Sequence, residues 1–117
     1  MRKLVLLVED DEDSLELLKT IVEKEGHDCR EARTAAEAIK LCDASNFDLI
    51  LLDFLLPDAF GIDVARHVQK KGGKVPVIAV SAYLERWDEA TYKQLGIRRL
   101  IRKPYRLEDI RAALRDE

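Results

Sequence analysis

The chain is poor in the residues that mark several protein classes. Among 117 residues there are only two cysteines, three prolines, five glycines and 6 % aromatics. Two cysteines, Cys29 and Cys42, make no disulfide framework, and no CxxC or Cys/His spacing suits a metal. They read as small core-type residues in a reducing compartment. No Gly-rich phosphate loop, low-complexity tract, internal repeat or linker is present. The longest apolar runs are about half of the ~20 residues that a membrane-spanning helix needs. An excess of positive charge is also missing: the net charge of −3 argues against bulk affinity for nucleic acid.

What is present belongs to a globular chain. Hydrophobic residues make up 47 %, too many for a disordered segment, and the length suits one domain, 1–117, with a core of its own. The opening Met1 to Val8 resembles the start of a secretory signal. It then runs into Glu9-Asp10-Asp11-Glu12-Asp13 without a small-residue cleavage site, so it reads as a strand of a cytoplasmic protein.

Three continuous apolar runs, Leu4 to Val8, Leu49 to Leu52 and Val75 to Val80, have the character of strands buried on both faces. Two weaker candidates, His27 to Ala32 and Ile97 to Arg102, carry charges and suit sheet edges. Helical stripes lie between them. The first holds Leu15, Leu18 and Val22 with Leu17 and Ile21 beside them, closed by Gly26. Thr34-Ala35-Ala36-Glu37 fits a capping box ahead of Ala38, Ile39 and Cys42. Ile62, Val64, Ala65 and Val68 form a third stripe. A fourth helix spans Arg86 to Leu95, and a fifth turns Leu107, Ile110, Ala113 and Leu114 inward. Strict strand–helix alternation predicts an α/β three-layer sandwich: a five-stranded parallel sheet, order 2-1-3-4-5, with five helices.

In such a sheet ligands bind beyond the carboxyl ends of the strands, where strand order reverses. The sequence puts Glu9 and Asp10 just after the first strand and Asp53 at the end of the third. Three carboxylates in one crevice repel, and a hard divalent cation such as Mg²⁺ relieves that. Ser81 ends the fourth strand and Lys103 follows the fifth, so the same lip offers a hydroxyl and an ammonium. A metal with those two groups could bind a tetrahedral phosphoryl group, and an aspartate could be the nucleophile.

These residues carry a resemblance. Val8-Glu9-Asp10-Asp11, Asp48 to Pro57, Gly61, Val80-Ser81-Ala82 and Lys103-Pro104, in that order and spacing, resemble the receiver domain of two-component response regulators. The likeness covers essentially the whole chain and implies a flavodoxin-like fold. It implies that Asp53 accepts a phosphoryl group from a sensor histidine kinase or a histidine phosphotransfer protein. It implies that Glu9, Asp10, Asp53 and the backbone carbonyl of Leu55 hold Mg²⁺, that Ser81 is the switch hydroxyl, and that Lys103 pairs with the phosphoryl group. It also implies a cis Lys103–Pro104 bond, and a partner or dimer surface on the fourth helix, fifth strand and fifth helix.

Two positions depart from the family pattern. Leu100 stands where the switch aromatic is usual, with Tyr83 and Tyr105 as substitutes, and Phe60 replaces an Asp before Gly61. Leu55 offers nothing to orient a hydrolytic water, and Tyr83 is bulky enough to shield the site, so a long-lived phosphorylated state is expected. The ordinary readings stand beside these. His27 and His67 are partly exposed side chains, Trp87 is helix packing or a partner anchor, and the C-terminal arginines are solvated charge or a partner face. Three alternatives remain: a degenerate receiver serving as a scaffold, a Mg²⁺-dependent aspartyl phosphohydrolase, and a nucleotide-binding module. The hydrolase needs a second acid where Leu55 stands. The nucleotide binder needs glycines where Glu9 and Asp10 stand.

Overall fold

A computed structural model describes residues 1–82 and 89–117. Five strands, β1 (Leu4–Val8), β2 (Asp28–Ala32), β3 (Leu49–Leu52), β4 (Val77–Ser81) and β5 (Ile97–Arg102), form one parallel sheet of order β2-β1-β3-β4-β5. The helices are α1 (Glu12–Lys24), α2 (Ala35–Ala44), α3 (Gly61–Lys70), α4 (Glu89–Gln94) and α5 (Leu107–Asp116). The predicted fold class and strand order are those observed. Arg86 to Asp88, assigned by sequence to the fourth helix, lie outside the described residues, as do Tyr83 and Trp87.

Strand alternation divides the core in two. Leu6, Val8, Ile50, Leu52, Val77 and Ala79 face α2, α3 and α4. Val5, Leu7, Leu49, Leu51, Ile78 and Val80 face α1 and α5. β3 and β4 are buried along their whole length, whereas β2 is mostly exposed and β5 alternates buried with exposed residues, as suits the edges.

Helix ends follow the sequence signals with small departures. Asp11 caps α1 by accepting from Ser14 N at 2.9 Å. Gly26, at φ +88°, closes that helix, where a side chain would be strained. His27 N still donates to Val22 O, so β2 begins one residue later than expected. Thr34 caps α2 by accepting from Glu37 N at 3.1 Å, but Glu37 reaches back to Arg33 N rather than to Thr34 N. β4 starts at Val77 rather than Val75. Pro76 lacks an N–H, although its carbonyl accepts from Ile50 N. Leu17 and Leu107, expected to face inward, are exposed.

Candidate functional site

The backbone at the carboxyl edge of the sheet remains hydrogen-bonded for one residue past β1, β3 and β5. Glu9 N donates to Ala32 O (3.0 Å), Asp53 N to Val8 O (2.9 Å) and Lys103 N to Ser81 O (3.0 Å). Side chains at these positions therefore project from a rigid rim, as a site built on scaffold elements requires. The order reversal between β1 and β3 brings Glu9 and Asp53 side by side.

Asp53 is at the centre. Its Oδ1 accepts from Ser81 Oγ at 2.7 Å and from Leu55 N at 3.1 Å, and its Oδ2 accepts from Lys103 Nζ at 3.0 Å. Lys103 Nζ also donates to Glu9 Oε1. Asp53 is 8 % exposed, and Glu9 and Ser81 are each 1 % exposed. One carboxylate oxygen from each of Glu9, Asp10 and Asp53 falls within 4.8 Å of the others. Asp10 is the exposed member, open to solvent.

The electrostatics are unbalanced. Three carboxylates face one ammonium, a formal excess of two negative charges. Burial raises the Glu9 carboxyl above its ordinary value, only partly offset by hydrogen bonds from Lys103 and Asp11 N, and neighbouring Asp53 adds to the rise. Burial alone would lower Lys103. Its hydrogen bonds to Glu9 and Asp53 overcome that and raise it, so the ammonium persists at neutral pH. A hard cation with oxygen ligands fits this donor set, since Mg²⁺ takes a few carboxylates and keeps several waters. Its charge would match the excess.

The loop after Asp53 folds back on itself. Gly61 N donates to Phe54 O at 2.7 Å, and Leu55 and Phe60 form an antiparallel bridge. Any Cβ at position 61 would lie 2.0 Å from the Asp53 carbonyl oxygen, so only glycine lets the loop close. Leu55 N reaches Asp53, while the Leu55 side chain is 46 % exposed. Phe54 points the other way and stacks on Tyr92 of α4, ring centroids 6.3 Å apart.

All five side chains named from sequence, Glu9, Asp10, Asp53, Ser81 and Lys103, thus meet at one edge of the sheet. The Lys103–Pro104 peptide is cis. Lys103 reaches Glu9 from 94 residues away in sequence. Asp58 was missed: its carboxylate accepts from Ala35 N and Ala36 N of α2, a contact across 23 residues with no local signature. Elsewhere, His67 lies 2.8 Å from Asp43, and His27 accepts from Lys3 N. Several C-terminal arginines are taken by ion pairs: Arg99 with Asp116 and Glu117, Arg111 with Glu25, Arg115 with Glu108. That favours the reading as surface charge over a free basic face.

Comparison with known proteins agrees with this geometry. A family model described as response regulator receiver domain matches residues 5–115. The polar-differentiation response regulator DivK of Brucella ovis is 34 % identical over 106 residues, which is 89 % of this chain and 86 % of that protein. The signal receiver domain of a putative LuxO repressor protein from Vibrio parahaemolyticus superposes with a TM-score of 0.89 at 29 % identity, covering 98 % of this chain and 88 % of the other. The response regulator TrrA of Thermotoga maritima, solved in complex with Mg²⁺ and BeF, gives a TM-score of 0.85 at 26 % identity over 97 % of this chain and 96 % of its own. The chain belongs to the response regulator receiver domain family.

Proposed function

We propose that residues 1–117 are one receiver domain that works as a phosphoacceptor switch, with Asp53 as the acceptor. The carrying observation is the Asp53 carboxylate itself. Ser81 and Lys103 occupy its two oxygens, and Glu9 and Asp10 crowd beside it. A sensor histidine kinase or a histidine phosphotransfer protein presents phosphohistidine at the rim. An Asp53 carboxylate oxygen forms the new P–O bond as the N–P bond breaks, and the imidazole leaves with the electron pair.

Mg²⁺ held by Glu9, Asp10, Asp53 and the Leu55 carbonyl would offset negative charge on the transferring group. Lys103 and Ser81 donate to phosphoryl oxygens, and the buried floor of the site keeps those bonds strong. TrrA of Thermotoga maritima, solved with Mg²⁺ and BeF, supports this reading by analogy.

Phosphorylation adds about −1.5 to −2 charge and three acceptor oxygens at one point. Ser81 ends β4 and Lys103 follows β5, so their re-aiming pulls on both strands. The readout is the face of α4, β5 and α5, where an effector or a second copy of the chain docks. Leu100 lies on that face, 44 % exposed and without an aromatic ring, so the response there uses a different packing residue. The domain itself makes no direct contact with nucleic acid or membrane and acts in the cytoplasm. No helix among the described residues is long and apolar enough to cross a membrane.

Catalysis is limited to accepting the group and losing it slowly. Leu55, half-exposed and apolar, gives no acid or base to a hydrolytic water, which disfavours a phosphohydrolase. The phosphorylated state should last many minutes or longer in the purified domain with Mg²⁺, and a half-life of seconds would contradict this. Beryllium fluoride added to the Mg²⁺-loaded protein tests the site: the amide resonances at positions 53, 81 and 103 should shift in the wild type and stay in place in Asp53→Ala. Unmoved resonances in the wild type would instead support a scaffold that no longer accepts a phosphoryl group.

A further inference from the structure

The loop from Asp53 to Gly61 is a small hairpin with an exposed tip. Leu56 N donates to Ala59 O at 3.2 Å, and Leu55 and Phe60 bridge below. Asp58 stands at that tip, and its two oxygens reach another element. Oδ1 accepts from Ala35 N at 2.8 Å and Oδ2 from Ala36 N at 3.0 Å, the first two N–H groups of α2. These bonds hold the Asp58 carboxyl below its ordinary value.

α2 has little need of this help. Thr34 already caps it, and Ala35 and Ala38 are buried against the sheet. Ala36 is exposed, so its N–H would be satisfied by water without Asp58. The loop has the greater need, since Leu55, Pro57, Asp58 and Phe60 are all exposed. A paired, charge-assisted contact to a helix fixed on the sheet therefore sets where the loop lies.

We propose that Asp58 is a positioning residue: by clamping the hairpin tip to α2 it sets the Leu55 backbone, whose carbonyl completes the Mg²⁺ site. This rests on the metal reading given above. The residue touches neither metal nor phosphoryl group and acts through the loop.

The test is a Mg²⁺ titration of the purified chain at constant ionic strength, read by calorimetry and by the amide shifts of Phe54 to Gly61. Four proteins are compared: wild type, Asp58→Ala, Asp58→Asn and Thr34→Ala. Asp58→Ala should weaken Mg²⁺ by about tenfold, the low end of what losing an outer-shell partner does. Without metal, it should also speed hydrogen exchange at the Ala59-bonded amide of Leu56. Asp58→Asn keeps one acceptor and should recover part of the affinity. Thr34→Ala loosens the same helix end without touching the loop, and should leave Mg²⁺ affinity within about twofold of wild type, since it removes only a helix cap.

Wild-type affinity in Asp58→Ala overturns the inference alone. So does an equal loss in Thr34→Ala, which would make the effect one of helix stability. A wild type that binds no Mg²⁺ overturns the metal reading beneath it, and the inference with it.

Discussion

Both oxygens of the Asp53 carboxylate are held by donors far away in sequence, Ser81 on one and Lys103 on the other. A hydrogen bond to a charged group contributes about 1.5–3 kcal/mol, or roughly tenfold or more in rate when it acts on a transition state. Ser81→Ala should therefore slow phosphorylation of Asp53 by about tenfold while leaving the stoichiometry at one group, as followed by intact mass against time. An unchanged rate would show that the hydroxyl does not reach the transferring group. Gly61 constrains the same site through volume. Its Cβ-less backbone lies against the Asp53 carbonyl, and an added methyl must displace backbone rather than a side-chain tip. Gly61→Ala should lower stability by about 2–3 kcal/mol, measured as a fall in urea midpoint at constant slope. A midpoint equal to wild type would mean that the loop closes some other way.

At the scale of elements, α2 is tied at both ends. Asp58 holds its first turn, and Asp43 in its last turn meets Lys71 at 2.5 Å and His67 at 2.8 Å, both from the end of α3. The hydrogen bond from Lys71, then that from His67, lowers the Asp43 carboxyl, as backbone bonds from Ala35 and Ala36 lower Asp58. Asp116 is lowered by Arg115 and then Arg99. A carboxyl depressed in the folded state binds its proton less readily than the unfolded chain does, at about 3.9 for Asp. Its stabilisation is present above that value and is lost as pH falls through the folded one. Glu9, raised by burial, works in the opposite direction. The urea midpoint should accordingly fall between about pH 5 and pH 3, and Asp58→Asn should flatten part of that slope. A profile flat to pH 3 would contradict the assignment.

The elements themselves show what is legible in a sequence. β1, β3 and β4 announce themselves because strands buried on both faces must be continuously apolar. β5 is harder. A bulge sets Ile97 against Val77 and Arg99 against Ile78, leaving Arg98 as the extra residue. Ile97 and Ile101, four apart, therefore face opposite layers of the core, which no period-two reading predicts. Leu107 begins α5 on its exposed side, although its spacing from Ile110 and Leu114 suggests the stripe. In the site, the acids could be named because they follow the apolar strands β1 and β3, whereas Ser81, the last residue of β4, and Lys103, after the charged β5, stand out only by strand position and spacing. Asp58 could not be named, because a cap between a loop and a helix 23 residues away leaves no pattern in either segment.

At the scale of the whole molecule, the parts of the proposed switch are set by one sheet edge. Order reversal between β1 and β3 gathers the acids, and β4 and β5 bring the hydroxyl and the ammonium. The two core layers hold that edge from both faces, and on the proposed reading a charge added at Asp53 would be resolved by movement at the ends of β4 and β5. The most direct measurement is the intact mass of the wild type and of Asp53→Asn after incubation with acetyl phosphate, with and without Mg²⁺. The account predicts one added phosphoryl group on the wild type, dependent on Mg²⁺, and none on Asp53→Asn. No adduct on a wild type that binds Mg²⁺, or an adduct that survives the Asp53→Asn substitution, would contradict it.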